Sequence, residues 1–391
     1  MIYRAELVIY GCIHVIMARQ AIDGRLWRNI SGHGTMCGKM KAIDFFCGAG
    51  GMTYGMSQSG IDVLAGIDND PNCRETYEIN NPNSKFIETD IHELSEEELA
   101  RITGIEKDDD SLLFIGCSPC QFWTKINTCK NKSRKSKNLL GEFQRFVSWF
   151  RPGYIVIENV PGLLNNKKEN VLNGFLRFLN NESYVYDHGI VNANHHGVPQ
   201  NRKRYLLIAT IVSDDIQIPE EEHSKSLTLR NFIGVHNGFG VVADGHKDKT
   251  EFMHTTAFLS DKNKKRIIKT PNDGGTRLSW KDDAELQIDA YRGKDNIFKD
   301  VYGRMFWDKP APTITTRFNS LSNGRFGHPD EPRAISLREG ATLQTFPKTY
   351  IFRGSSEASL AKLIGNAVPP ELARRIGNSI RMNYENVKIR C

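Results

Sequence analysis

A chain of 391 residues, 39% hydrophobic and 25% charged, has room for two domains and a sizeable core and has the composition of a soluble globular protein. Its formal net charge of +6 favours polyanionic partners only where the charge clusters. Eight cysteines, at positions 12, 37, 47, 73, 117, 120, 129 and 391, have neither the density nor the spacing of a disulfide framework or a paired zinc site, so the sequence points to a reducing, intracellular compartment and to no metal centre.

In chain order, Leu7 to Met17 has the apolarity of a signal-peptide core, but His14 and the lack of a small-residue cleavage site argue against one, and no run reaches the length of a membrane span. Residues 1–39 carry no period that continues past Met40, and Met36 and Met40 stand just before the first strand. The expectation is an N-terminal extension, preceding the true start, that the rest of the chain folds without. From Lys41, the segments Ala42–Phe46, Val63–Ile67, Leu112–Ile115, Tyr154–Ile157 and Tyr205–Ala209 read as strands separated by helical periods. This alternation predicts an α/β fold with a doubly wound, mainly parallel sheet over 40–211. Leu139, Phe143, Phe146, Val147 and Phe150 form one helical stripe, and Ser95 with Glu98 a capping box; both are read as core and punctuation. After Ile211 the alternation fails and Gly, Asn, Asp and Thr dominate, so 212–355 is read as a second, smaller, loop-rich domain. Leu372, Ile376 and Ile380 share a helix face, which predicts that 356–391 returns to the first domain.

Four elements carry candidate chemistry. The first strand runs into Asp44-Phe45-Phe46-Cys47-Gly48-Ala49-Gly50-Gly51, a glycine-rich strand-to-helix turn that lacks both a full G-x-G-x-x-G and the Lys-Ser/Thr of a P-loop. Asp68, twenty residues beyond Gly48, ends the next strand, where a carboxylate can accept from ribose hydroxyls. A ribose-containing cofactor without a pyrophosphate fits; the bland reading is a tight turn and nothing more. Cys120, in Gly116-Cys117-Ser118-Pro119-Cys120-Gln121, lies just past the third strand, where open α/β sheets place their chemistry, and is a candidate nucleophile. Cys117-Ser118-Pro119-Cys120 is formally C-x-x-C, but no second such pair exists, and Cys117 is read as a buried small residue. Six cations and no acid lie between Lys125 and Lys137, a composition suited to phosphate neutralisation beside a reacting centre, although charge runs are usually only solvated. Glu158 follows the fourth strand at the same rim as Cys120, a candidate acid that a solvated strand end would equally explain. Gln200, Arg202 and Arg204 alternate along an extended segment and are expected to project together; alone they would be a surface ladder.

In this order these elements, with Arg338-Glu339, Leu343-Gln-Thr-Phe-Pro347 and Ile364-Gly-Asn-Ala-Val-Pro-Pro370, resemble the DNA cytosine-5 methyltransferases of bacterial restriction-modification systems. The resemblance implies a Rossmann-like methyltransferase fold using S-adenosylmethionine. Phe46 would stack on its adenine, Asp68 hold its ribose and Asp90 accept from its adenine amino group. Asp44, Gly48, Gly50, Gly51 and Pro119 would line the site, and Asn366 and Val368 close it. Cys120 would add to C6 of a flipped-out cytosine, with Gln121 beside it and Glu158 at N3. Arg202 and Arg204 would hold the base and its phosphate. Lys125, Lys132, Arg134, Lys135 and Gln200 would contact the nucleic acid. Ser118 in place of the usual proline, Cys47 in the glycine loop and Asn69 depart from the family pattern without removing a required group. The resemblance further implies that 212–355 reads a specific double-stranded DNA sequence, with Lys262, Lys264, Lys265, Arg266, Arg317 and Asn319 to Arg325 suited to phosphate and base contacts. It implies a monomer on DNA in the cytoplasm, associated with the nucleoid and not with a membrane, and a cognate restriction endonuclease acting on the same site. Two rivals stand beside it: a tRNA cytosine-5 methyltransferase, which shares most of the motifs, and a nucleic-acid-binding regulator without catalysis, which would need one of Cys120, Glu158 and Arg202 to be missing.

Overall fold

Short, almost wholly apolar segments build the sheet. In the computed structural model, which describes residues 38–118, 139–165, 171–222 and 227–390, the strands are β1 (Lys41–Phe45), β2 (Asp62–Asp68), β3 (Lys85–Glu88), β4 (Leu112–Gly116), β5 (Tyr154–Asn159), β6 (Val185–Asn192) and β8 (Lys203–Thr210). They lie in the order β3-β2-β1-β4-β5-β8-β6. All pairs from β3 to β5 are parallel, and β8 runs antiparallel to both β5 and β6. Every residue of β4 and β5 is buried, which is what a central parallel strand covered on both faces requires. Edge strand β6 is exposed or half-buried everywhere but Val191 and mixes polar with apolar residues, so it carries no apolar run to betray it in sequence.

Helices cover both faces: α1 (Gly51–Gln58), α2 (Arg74–Asn80), α3 (Glu96–Thr103), α4 (Leu139–Phe150) and α5 (Val171–Asn181) follow strands in turn. One core sets Phe45, Phe114, Phe143, Phe146 and Phe150 together, and Phe45 meets the Phe114 and Phe143 rings edge-on at 5.2 and 5.3 Å. The stripe expected on α4 is there, except that Leu140 and not Leu139 is its buried first member. Ser95 caps α3 by accepting from the Glu98 N–H, the half of the capping box that the structure contains.

On the other face Leu372, Ile376 and Ile380 of the last helix pack with Met52 and Met56 of α1. That helix, Pro370–Arg390, crosses α1 at backbone contact: a Cβ on Gly55 would lie 2.3 Å from the Pro370 carbonyl. Between β8 and this helix the described residues form few regular elements: α6 (Asp261–Lys269), β9 (Ala311–Pro312), which makes a two-residue ladder with β7 (Gln200–Asn201), α7 (Leu337–Leu343) and α8 (Glu357–Asn366), with the last helix as α9. Leu259, Ile267, Trp280, Leu286, Tyr302, Leu321 and Ala334 give part of this region a small core of its own. By its backbone contacts the chain divides into Met1–Gly38 and Lys39–Cys391, and the expected N-terminal extension falls outside the described residues except for Gly38 and Lys39.

Candidate active site

Because β1 to β5 are parallel, their carboxyl ends share one rim, and the strand order reverses between β1 and β4. The crevice outside that point is where open α/β sheets hold ligands. The glycine turn leaves β1 there, and Cys117-Ser118 leaves β4 beside it.

The turn is held from beneath by a buried polar chain. The Thr53 hydroxyl donates to Asp44 Oδ2 at 2.7 Å and lies 3.1 Å from the Tyr77 hydroxyl, which is 2.6 Å from Ser84 Oγ. Since each hydroxyl has one proton, Tyr77 donates to Thr53 and Ser84 to Tyr77. Asp44 Oδ1, fully buried, makes no hydrogen bond among the described residues. Burial pushes the Asp44 carboxyl up to about 7, against the Thr53 hydrogen bond and with the help of nearby Asp68. From above, the Tyr350 hydroxyl donates to the Ala49 carbonyl at 2.5 Å.

Asp68 spans the mouth of the turn, accepting from the Gly48 N–H at 2.9 Å and from the Asp70 N–H at 2.9 Å. Burial raises its carboxyl, and these backbone bonds oppose the rise. The glycines divide by role. A Cβ on Gly48, at φ 52°, would meet nothing within 4 Å, so this position faces open space. On Gly50 it would strike Asn81 Nδ2 at 2.5 Å, and on Gly51 the Val368 carbonyl at 2.4 Å. Only Gly48 leaves room for a ligand; the other two allow the backbone of the closing segment and α2 to approach. Phe46, half-buried beside them, is held at φ 65°, a strained conformation for an aromatic residue. Asp90, just past β3, is half-exposed and accepts from the His92 N–H at 3.1 Å. Asn366 is exposed at the end of α8, and the Val368 side chain is buried with the core under α9.

At the end of β5 the Glu158 carboxylate is buried, and Arg204 Nε lies 3.0 Å from its Oε1. The pair is ionic without hydrogen-bond alignment, so Oε1 has a buried acceptor lone pair unused among the described residues. Antiparallel register places this pair: Glu158 lies opposite Leu206 and Asn159 opposite Tyr205. The next side chain, Asn159, donates its amide to Ser118 O at 3.3 Å and to Ser118 Oγ at 3.2 Å. Thus the residue that departs from the usual proline makes a hydrogen bond a proline could not, and it pins the chain two residues before Cys120. Cys120 itself, Pro119, Gln121, Lys125, Lys132, Arg134 and Lys135 lie outside the described residues. Cys117 is half-buried, less enclosed than expected.

The structure corrects the expectation that Gln200, Arg202 and Arg204 project together. Gln200 is fully buried, donating to Gln344 Oε1 at 2.8 Å and accepting from the Ile314 N–H at 2.8 Å, so it does not face a nucleic acid. Arg202 is buried among the carbonyls of Ile314, Gly365 and Ala367, so its guanidinium is turned into the interior and not presented at the rim. The segment is not a free strand: β7 pairs with β9, and one face of it becomes interior. Arg204 alone reaches the rim. The sequence marks no role for Thr53, Tyr77, Tyr350 or Asn159, although Asp44 and Ser118, which Thr53 and Asn159 hold, both stand out in it.

A parallel sheet with its glycine turn at the switch point, and a carboxylate-guanidinium pair beside a cysteine-bearing loop, is the arrangement of a Rossmann-like methyltransferase. The profile of the C-5 cytosine-specific DNA methylase family matches residues 40–382, and the chain belongs to that family: it is a DNA cytosine-5 methyltransferase of the bacterial restriction-modification type. It is 38% identical over 352 residues to the Type II methylase M.HgiDII of Herpetosiphon aurantiacus, covering 88% of this chain and 96% of that one. It is 30% identical over 363 residues to the Type II methyltransferase M.XorII of Xanthomonas oryzae pv. oryzae, covering 86% and 84%. A DNA modification methyltransferase encoded within an E. coli prophage superposes on it with a TM-score of 0.68 at 22% identity, covering 89% of this chain and 100% of that one. The S. pombe Dnmt2 methyltransferase does so with a TM-score of 0.58 at 18% identity, covering 89% and 99%; at these identities the likeness speaks for the fold.

Proposed function

We propose that the protein methylates C5 of a cytosine flipped out of a specific double-stranded DNA sequence, through a transient bond between Cys120 and C6. The observation that carries this reading is the convergence at one rim of the Glu158–Arg204 pair and the Ser118 end of the Cys120 loop. Cytosine C5 is a poor nucleophile within an intact ring. Addition of the Cys120 thiolate to C6, with the N3 of the ring hydrogen-bonded or protonated by Glu158, breaks aromaticity and makes C5 electron-rich. Arg204 holds the Glu158 carboxylate in place and faces the same space. After methylation, loss of the C5 proton to a base and expulsion of Cys120 restore the ring. Because the carbon lies inside the base stack, the nucleotide must leave the duplex, a displacement that cations from Lys125 to Lys137 suit by neutralising phosphates.

The residues fit S-adenosylmethionine, which when bound supplies an electrophilic methyl group. Gly48 faces open space, Asp68 borders it with a carboxylate, and Asp44 Oδ1 is a buried acceptor without a hydrogen bond among the described residues. Phe46 and Asp90 flank the same rim and are proposed to take the adenine; Asn366 and Val368 end the segment that closes on the turn. Residues 212–355 are proposed as the part that reads the DNA sequence, and a restriction endonuclease of the same specificity as the companion enzyme.

Bisulfite sequencing of DNA from a methylation-free host expressing the chain identifies the site. A duplex carrying 5-fluorocytosine at that site is then expected to trap a covalent adduct with the wild type and none with Cys120→Ser. Methylation of tRNA in preference to duplex DNA, measured side by side, would replace the DNA reading, and an adduct that survives Cys120→Ser would displace the sulfur from its role.

A further inference from the structure

We infer that Arg202 is a positioning residue that couples occupancy of the cofactor edge of the site to engagement of DNA by the loop carrying Arg317, an inference that rests on the function proposed above. Arg202 is 2% exposed, and its guanidinium reaches two segments far apart in sequence. One terminal nitrogen donates to Ile314 O at 3.2 Å and Gly365 O at 3.4 Å, and the other to Gly365 O at 3.4 Å and Ala367 O at 3.1 Å. Gln200 grips the same Ile314 peptide from its other side, accepting from its N–H at 2.8 Å. Gln344 joins the two halves, accepting from Gln200 Nε2 at 2.8 Å and donating to Ile364 O at 2.7 Å.

Both ends of this junction lead to segments that the proposed function places against ligands. Toward the cofactor, the Val368 carbonyl lies against Gly51 of the glycine turn, where a Cβ would come within 2.4 Å of it. Toward DNA, the backbones touch: a Cβ on Gly365 would lie 2.4 Å from the Thr315 carbonyl. Arg317, two residues further, is exposed, and its guanidinium makes no hydrogen bond or ion pair among the described residues. A guanidinium is a rigid planar fork, so it cannot follow one set of acceptors without straining its bonds to the other, and the carbonyls it serves are buried and costly to leave unpaired. A shift of Gly365–Val368 on filling of the cofactor site is therefore passed through Arg202 to Ile314 and its loop. By linkage the reverse holds with the same coupling free energy.

The test uses the full chain and the duplex site found by bisulfite sequencing. Affinity for the duplex is measured by anisotropy without and with saturating S-adenosylhomocysteine, and affinity for S-adenosylhomocysteine without and with duplex. The wild type is expected to show the same tightening, about fivefold or more, in both directions. In Arg202→Lys, which keeps the charge and loses the fork, the factor is expected to fall below about twofold while each ligand alone binds within about threefold of wild type and thermal unfolding stays cooperative. Gln344→Met, which severs the junction without touching Arg202, is expected to give an intermediate factor and decides the matter if Arg202→Lys does not fold. A wild type without coupling overturns the inference, as does a folded variant that keeps the full factor while binding both ligands more weakly in parallel. Failure of the wild type to methylate DNA is read separately, in the bisulfite assay, and defeats the reading on which the coupling rests, whereas loss of coupling in a protein that methylates DNA defeats the coupling alone.

Discussion

The sheet half, Lys41 to Thr210, and the loop-rich region after it solve the same accounting problem by different means. In the sheet, backbone N–H and C=O groups pair with each other along seven strands, and charged side chains are left at the rim. In the loops few ladders exist, and buried arginines take their place. Arg304 donates to the carbonyls of Ile267, Thr270, His328 and Glu331, and Arg338 to those of Glu251, Phe252, Pro347 and Tyr350. Arg277 serves Lys294, Ile297 and Phe298, and Arg266 serves Leu286 and Gln287. A guanidinium with five donors suits such a role because one side chain closes several loops at once. Positive charge in this region therefore overstates what faces a polyanion. Of the cations the sequence offered to DNA, Arg266 and Arg325 are tied to backbone carbonyls, and Lys264 and Lys265 are paired with Asp244 and Glu285.

The sharpest way to break this comparison is to remove one such arginine. Arg304→Met roughly keeps the volume of the side chain and strips four carbonyls, three of them buried, of a charged donor. It is expected to destabilise the protein by roughly 3 kcal/mol or more, comparable to truncating a core aromatic such as Phe143 in the sheet half. Urea unfolding monitored by tryptophan fluorescence checks it, since Trp280 and Trp307 both lie in the loop region. A loss below about 1 kcal/mol would mean that the loops close without the arginine.

The two regions also differ in how much of them could be read from the sequence. Five of the strands, the α4 stripe and the apolar face of α9 announce themselves because burial on one or both faces imposes a period. Strand β6 did not, being an exposed edge, and neither did the fate of Gln200 and Arg202. Their alternation is real, but the side that faces the interior is decided by β9, more than a hundred residues later in the chain. The rim carboxylates Asp68 and Glu158 were legible because strand ends mark them, whereas the hydroxyl chain from Asp44 through Thr53 and Tyr77 to Ser84 depends on contacts between elements that no local pattern records. Nor does the sequence show which arginines are staples, since a buried and a DNA-facing arginine are the same letter.

Two buried carboxylates, one in each region, titrate in opposite directions and sharpen the contrast. Asp44 in the sheet half is raised to about 7, chiefly by burial. Between its ordinary value of 3.8 and about 7 the native state holds more protons than the unfolded chain, so this group makes stability fall as pH rises through that window. Glu339 in the loop region is also buried, which alone would raise it, but Arg333, at 2.7 and 2.9 Å from its two oxygens, holds it down at about 2. Its contribution is present above 4.5 and is lost as pH falls toward 2. Asp44→Asn is accordingly expected to gain in relative melting temperature between pH 4 and 7, approximately the window set by its raised carboxyl, and Glu339→Gln to lose its deficit relative to wild type as the pH is taken below about 4. Melting curves across pH decide it, and an Asp44→Asn profile parallel to wild type would show that the carboxyl ionises without cost.

The smallest expected effects separate free cations from committed ones. Arg317→Ala removes an exposed side chain with no partner among the described residues, so the melting temperature should not move, while affinity for the duplex falls about tenfold and, if the contact is to a phosphate, the salt slope drops by about one. Lys265→Ala breaks an exposed ion pair with Glu285 and should change neither the melting temperature nor DNA affinity measurably, because such pairs are screened by solvent. If base readout is the role of Arg317, the loss is instead concentrated on the cognate sequence and the salt slope is unchanged. Equal losses of DNA affinity in the two variants would mean that both cations act through a diffuse positive field, and that the division into staples, pairs and free cations does not govern binding.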